Sequence, residues 1–425
     1  MNLRDTLMGG WAKQGCAGPP LAQVGRRILA WPTLQNLSNA RRLSDTVLIA
    51  LYLFALSVPA VGVLLGWVEP KSLARENRPP APMPAFSIQK ASIQRFPARF
   101  EDYFQDRLPA RDGLLDWHAR LKVDWLDSPS TEKVILGRDG WLFMNEEKSE
   151  CQGRAVSPQE QCRLWAQAFR QRRDWLARRG IEYVVVLTPE KHSVYPEYLP
   201  DVCRHSHVLS AAELLAEELR ADPEMNVLAL RDVLKEERGH RSFAVSENVR
   251  CLLFFRTDTH WNDEGAYVSY CALVERLAMR WPEMRPLERD RFERQRIDSF
   301  TGDLCWILHL PGDRRETTEL WHLREPRAVR LPEELPLDPR RHFPKHIPPQ
   351  TWGCQDSRQP RAVLFHDSFA GRLWLPVLAE HFNRLGYAPT AGFDPKTVEA
   401  IQPQVVIQEI VERKINWHAP EMIGR

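Results

Sequence analysis

The sequence predicts an α/β fold, a parallel sheet with helices on both faces. Two observations carry this. The short apolar runs Tyr183-Val184-Val185-Val186-Leu187, Asn226-Val227-Leu228-Ala229-Leu230, Ala362-Val363-Leu364-Phe365 and Val405-Val406-Ile407 lack the polar alternation of a half-exposed strand. They read as strands buried on both sides. Helical stretches with their own start signals lie between them, and helices alternating with strands make parallel units.

The chain has 425 residues, enough for one large domain or two ordinary ones with appendages. Its net charge of +2 offers no electrostatic case for nucleic acid as a partner. The run TVLIALYLFALSVPAVGVLLGWV, residues 46–68, carries no charge and meets the ~20 residues a membrane-crossing helix needs. Arg26, Arg27, Arg41 and Arg42 precede it, so the positive-inside bias predicts a cytoplasmic tail at 1–45 and an exported remainder. A cleaved signal peptide has a shorter apolar stretch of ~7–15 residues that starts earlier, which favours an uncleaved anchor. In a Gram-negative host the remainder is periplasmic. Disulfides are permitted there, and Cys151 with Cys162 is the nearest candidate pair.

Residues 69–92 are Pro-rich and predict an extended linker, with the domain proper at 93–425. Phe96, Phe100, Tyr103 and Phe104 fall on one helical face, expected to pack on the domain. Gly137 to Phe143 predicts a turn into a short strand. Ser157-Pro158-Gln159-Glu160 is a capping box opening a helix that Gly180 ends, and Ser210-Ala211-Ala212-Glu213 opens another. Asn262 is placed to cap a helix through Leu277. A helix is expected around Leu375 to Leu385. Residues 311–350, rich in Pro and Arg without periodicity, predict a long surface excursion.

Two segments carry the chemistry. Thr257-Asp258-Thr259-His260-Trp261-Asn262 puts a carboxylate two residues before a histidine, in a turn ahead of a helix. Phe365-His366-Asp367-Ser368-Phe369 puts a serine where a parallel strand ends, the position at which α/β folds present reactive groups. A serine hydroxyl is a weak nucleophile and needs an adjacent base. His260 is the candidate base and Asp258 the candidate orienter, the parts required for acyl transfer through an ester. The bland readings are a turn or cap at Asp367-Ser368 and a structural histidine at His260. A mixed nitrogen and oxygen metal site of Asp258, His260, His366 and Asp367 is the rival, but no HxH or HExxH spacing occurs and it leaves Ser368 without a role. No metal and no cofactor are expected. His366 is read as a strand-end packing residue or part of the pocket rim.

With these segments, Glu76-Asn77-Arg78, Phe100 to Phe104, Thr188-Pro189-Glu190-Lys191, Tyr195-Pro196-Glu197, Gly302-Asp303-Leu304 and Val411-Glu412-Arg413, the chain resembles the SGNH-hydrolase-like alginate O-acetyltransferases of the AlgJ/AlgX type. The resemblance implies a three-layer α/β/α domain, circularly rearranged so that the Asp-His pair precedes the serine. It assigns Ser368 as nucleophile, His260 as base and Asp258 as orienter. It implies an exported polysaccharide as substrate and a membrane-bound O-acyltransferase as acetyl donor, with the protein held at the bacterial inner membrane by one helix. His366 stands where this family often has glycine. Lys191, Tyr195 and Arg372 are candidate substrate contacts, and Gly302 a candidate oxyanion donor. Two other functions fit the sequence: an acetyl- or carboxyl-esterase with the same three residues, and a glycan-binding scaffold without activity.

Overall fold

The computed structural model describes residues 34–64, 80–85, 90–107, 111–145, 157–204, 209–241 and 252–423, the last less 311, 313, 333–334, 336–347, 355, 357, 372 and 391. Contacts divide the chain into two compact units, Met1–Val68 and Glu69–Arg425. In the first, the helix Leu34–Leu64 takes in most of the expected anchor, and residues 65–68 lie outside the described set. Among the described residues no helix is long and apolar enough to cross a membrane. Several side chains of Leu34–Leu64 are outside that set, so the crossing at 46–68 stays an expectation.

The second unit is built on a seven-stranded sheet. Its strands are β3 (Glu182–Thr188), β4 (Asn226–Ala229), β7 (Val329–Leu331), β8 (Gln350–Gly353), β9 (Arg361–Phe365), β10 (Arg384–Ala388) and β11 (Val405–Val411), in the order β4-β3-β11-β9-β10-β8-β7. The five strands from β4 to β10 are mutually parallel, as expected, and β8 and β7 extend the sheet antiparallel. Alternation along β9 divides the core. Ala362 and Leu364 point with Val184, Val186 and Ile407 into one apolar layer, which includes Tyr270 and Val274 of the helix Asp263–Ala278 and Trp374 and Val377 of Trp374–Ala379. Val363 and Phe365 point with Val185 and Val406 into the other, against Phe169 of the helix Pro158–Ala177 and Leu215 of Ala211–Arg220. A sheet buried on both faces explains why these strands are apolar without alternation.

The local signals mostly hold. Ser157 Oγ accepts from the Glu160 N–H, while the Glu160 carboxylate turns to Arg163. Ser210 and Glu213 form the full reciprocal cap. Asn262 Oδ1 accepts from the Gly265 N–H at 2.9 Å. The turn after Gly137 joins β1 (Val134–Leu136) to β2 (Leu142–Met144), with Asp139 at φ 52 and Gly140 at φ 77.

Four expectations are corrected. The helix around Leu375 to Leu385 is only Trp374–Ala379, and Arg384–Ala388 is β10. Glycine is a poor strand former, but Gly386 fits here because a Cβ would stand 2.5 Å from Ile401 Cδ1. Residues 311–350 hold β6 (Glu316–Leu323), paired with β5 (Phe292–Phe300), as well as β7, so they are not simply a surface excursion. The rings of Phe96, Phe100 and Phe104 stack on one another, but Phe100 is 39% exposed rather than packed on the domain. Cys162 is a free buried thiol donating to Glu218, not a disulfide partner, and Cys151 lies outside the described residues.

Candidate active site

The site lies beyond the carboxyl end of β9. The chain leaves the sheet at His366, whose N–H still donates to the Ala388 carbonyl of β10, and then turns sharply. Asp367 fixes the turn. Its Oδ1 accepts from the Phe369 N–H at 3.0 Å and its Oδ2 from the Val411 N–H at 2.8 Å. Its own N–H donates to Glu409 Oε2 at 3.0 Å, and Glu409 Oε1 accepts from Thr188 Oγ1 at 2.6 Å. These bonds tie the ends of β9, β11 and β3 together beneath Ser368.

The second segment meets this turn from the side. His260 Nε2 lies 2.8 Å from Ser368 Oγ, and His260 Nδ1 lies 2.7 Å from Asp258 Oδ1. The same Asp258 oxygen accepts from the His260 backbone N–H at 3.0 Å, and Asp258 Oδ2 accepts from the Asp303 N–H at 3.0 Å. With Nδ1–H held by the carboxylate, the imidazole presents an unprotonated Nε2 to the hydroxyl. That is the tautomer a base needs. Trp261 joins the two segments: its Nε1 donates to the Phe369 carbonyl at 3.1 Å, and its ring meets Phe369 edge-on.

Three further residues, none of them read as structural supports from the sequence, hold the 257–260 loop. Glu316 of β6 is buried and accepts from the Arg256 and Thr257 N–H groups and from Thr257 Oγ1. Asp303 accepts from the Thr259 N–H at 2.7 Å and its hydroxyl at 2.5 Å. Lys191 is 2% exposed, and its ammonium donates to the carbonyls of Phe255, Arg256 and Asp258 at 3.0, 3.0 and 2.7 Å.

The family match fits this geometry. Residues 134–330 match a family model described as the SGNH hydrolase-like domain of the acetyltransferase AlgX. This segment is similar to that family. The matched segment contains Asp258, His260, Asp303 and Glu316 and ends before Ser368, so the pairing with the serine rests on the distances above. Curated relatives are named probable alginate O-acetylase AlgJ. That of Pseudomonas fluorescens is 27% identical over 218 residues, 51% of each chain, and that of Pseudomonas putida is 34% identical over 143 residues, 33% of each. The chain therefore spans about half the length, or less, of these relatives. Among solved structures, the O-acetyltransferase domain of Pseudomonas putida AlgJ aligns with 67% of this chain and 92% of that one, at 21% identity and a TM-score of 0.43. Bacillus cereus PatB1 with a sulfonyl adduct aligns with 68% and 100%, at 14% identity and a TM-score of 0.48.

The electrostatics of the site follow from burial and pairing. Burial alone would raise the Asp258 carboxyl, but the hydrogen bond and charge of His260 outweigh it and hold the group below the usual carboxylate range. Burial would likewise lower His260, yet the Asp258 hydrogen bond and charge, with Asp303 nearby, raise it. Asp303 is raised by burial and by the Asp258 charge. The His260 side chain keeps 20% exposure, so reactants can reach the pair.

The remaining expected site residues divide. Lys191 is not a substrate contact, since its ammonium is spent on the loop carbonyls. Tyr195 is not one either. It is 2% exposed, its hydroxyl accepts from the Leu253 N–H, and its ring packs on Trp141. Gly302 is not an oxyanion donor, because its N–H donates to Thr257 Oγ1 at 3.0 Å. Its bare Cα instead lets the chain pass the 257–258 peptide, where a Cβ would stand 2.3 Å from the Thr257 carbonyl. Arg372 lies outside the described residues. Of the rival metal set, His366 and Asp367 are engaged in the turn, whereas Asp258, His260 and Asp303 bring ligand atoms within 4.8 Å of one another. Both Asp258 oxygens in that group already accept N–H bonds. A cavity of about 490 Å³ near Arg179, Arg361 and Gln404 lies at the opposite edge of the sheet, where β3 and β9 begin, and includes none of these residues.

Proposed function

We propose that the chain is an O-acetyltransferase that modifies hydroxyls of an exported polysaccharide through an acetyl-serine intermediate. The hydrogen-bonded series Asp258, His260, Ser368 is the observation that carries this reading. Ser368 Oγ attacks the acetyl carbonyl of the donor and passes its proton to His260 Nε2. Asp258 stabilises the resulting imidazolium. The tetrahedral intermediate expels the donor's leaving group, which takes that proton, and the acetyl group stays on Ser368. A sugar hydroxyl then gives its proton to His260 and attacks the ester; the acetyl–Oγ bond breaks, the sugar keeps the acetyl group and Ser368 Oγ takes the proton back from His260 Nε2. The oxyanion of each intermediate requires aimed N–H donors. The Ser368 N–H has no acceptor among the described residues and is the donor in this proposal.

The curated relatives' name, alginate O-acetylase, supports an acetylated polymer as product class. The apolar run at 46–68 supports anchorage at the bacterial inner membrane with the domain in the periplasm, and so a membrane-bound O-acyltransferase as the donor of acetyl groups. The test is acetyl incorporation into the polymer by cells carrying wild-type chain or Ser368→Ala. Loss in the variant, with polymer binding kept, supports transfer. Unaltered incorporation rejects the enzyme reading, and acetate release that polymer does not divert points to an esterase.

A further inference from the structure

We infer that His366, through its Nδ1–H, aims the Ser368 backbone N–H at the oxyanion and is a positioning residue for the reaction. The inference rests on the acyl-transfer reading and adds to it a residue outside the Asp258, His260, Ser368 series. His366 is 0% exposed, and its Nδ1 lies 2.7 Å from the Asp367 carbonyl oxygen. A carbonyl only accepts, so Nδ1 carries the proton and donates. That carbonyl belongs to the Asp367–Ser368 peptide, which is trans like every described peptide bond. In a trans peptide the C=O and N–H point in opposite directions across a rigid plane. Holding the carbonyl toward the buried ring therefore turns the Ser368 N–H away from the core. On this inference it faces the side of Oγ, where the acetyl carbonyl oxygen becomes the oxyanion as that carbon is attacked. The bonds of Asp367 to Glu409, Val411 and Phe369 fix the residue before this peptide and the residue after it, but none touches the peptide's own C=O or N–H.

Stability does not account for a histidine here. Among the described residues its Nε2 has no hydrogen-bond partner, and neither does the hydroxyl of Tyr387, whose ring packs edge-on against it. Burying an unpaired nitrogen is unfavourable, so an apolar side chain of similar size would suit the core better. Burial lowers the His366 pKa, which keeps the ring neutral with a single N–H to give.

The experiment uses the full chain with p-nitrophenyl acetate as acyl donor, comparing wild type, Ser368→Ala, His366→Leu and His366→Asn. Leucine removes the donor, while asparagine returns an amide N–H near the Nδ1 position. Removing an oxyanion donor costs about 10²–10³ in kcat, and misaiming one should cost on the order of tenfold to 100-fold. The expected result is that loss in His366→Leu with KM within about twofold and no large fall in Tm, because the orphaned Asp367 carbonyl is offset by removal of the unpaired Nε2. His366→Asn should recover most of the rate, and the acid limb of the pH profile should stay in place. Wild-type kcat in His366→Leu, or a fall in Tm and rate that asparagine does not repair, would overturn the inference alone. Equal rates in wild type and Ser368→Ala would overturn the acyl-transfer reading and this inference with it.

Discussion

His260 Nε2 and Ser368 Oγ stand 2.8 Å apart although 108 positions separate them in sequence. What brings them together is a second link of the same span, the Trp261 indole on the Phe369 carbonyl. The imidazole and the hydroxyl are thus joined both by their own contact and by the residues that follow each of them.

The pH profile should report the Asp258 carboxylate. A base works only when neutral, so activity falls as pH drops through the His260 pKa, which Asp258 raises above the ordinary value of about 6.5. The acid limb of kcat/KM should therefore lie above about 6.5 in wild type and move down in Asp258→Asn, with kcat reduced by roughly 10⁴ as in other Ser-His-Asp sites. The stability term has the opposite sign. A raised histidine pKa stabilises the fold fully below the unfolded value, and this contribution is lost as pH rises through the folded one. A limb unmoved by Asp258→Asn would argue against the pairing.

Lys191→Met separates a loop support from a substrate contact. The loss of the ammonium leaves two buried carbonyls and one part-buried carbonyl without their donor, and each unsatisfied buried group costs about 1–3 kcal/mol. Burial pushes the lysine pKa down to about 8, and relief of that cost offsets part of the loss. The expected outcome is a stability decrease of about 2 kcal/mol or more in denaturant, with kcat falling more than KM changes. A variant of full stability with only KM raised would mean that Lys191 touches substrate after all.

Gly302→Ala should injure the reaction from outside the reacting groups. Its Cβ would stand 2.3 Å from the Thr257 carbonyl and 2.4 Å from the Asp258 nitrogen, so the loop must move. Overpacking of this kind costs about 1–3 kcal/mol, and a 1 Å displacement of a reacting group costs on the order of 100-fold in rate. Steady-state kinetics beside a thermal melt measure both, and wild-type kcat would show that the loop is not held there.

Glu409→Gln tests the buried carboxyl under the nucleophile turn. Burial, then the charge of Asp367, raises its pKa well above the usual value. Its favourable contribution is complete below the unfolded carboxyl value of about 4.3 and is lost as pH rises toward the folded one. The amide does not titrate, so the Tm of Glu409→Gln relative to wild type should climb with pH above about 4.3. A pH-independent difference would mean that Glu409 is ionised in the fold.

Asp258, His260 and Ser368 were legible because each sits in a short segment whose residue types already state a chemistry, beside a strand end or a helix cap. Their supports were not. Asp303 lies beyond a nine-residue strand and Glu316 in a Pro- and Arg-rich stretch, and no local pattern ties either to a loop more than 40 positions earlier. Lys191 was misread because a lysine after a strand end has the same local sequence whether its ammonium faces solvent or folds back under a loop. The sheet's parallel strands were apparent from their unbroken apolar runs. β10 was hidden because Gly386, chosen for close packing against Ile401, breaks the strand pattern.

The most direct measurement is acid-quench peptide mapping of the full chain after brief exposure to p-nitrophenyl acetate. The account predicts one acetyl group on the peptide containing Ser368, formed in wild type, absent in Ser368→Ala and strongly slowed in His260→Ala. An acetyl group found elsewhere, or the same labelling in Ser368→Ala, would contradict it.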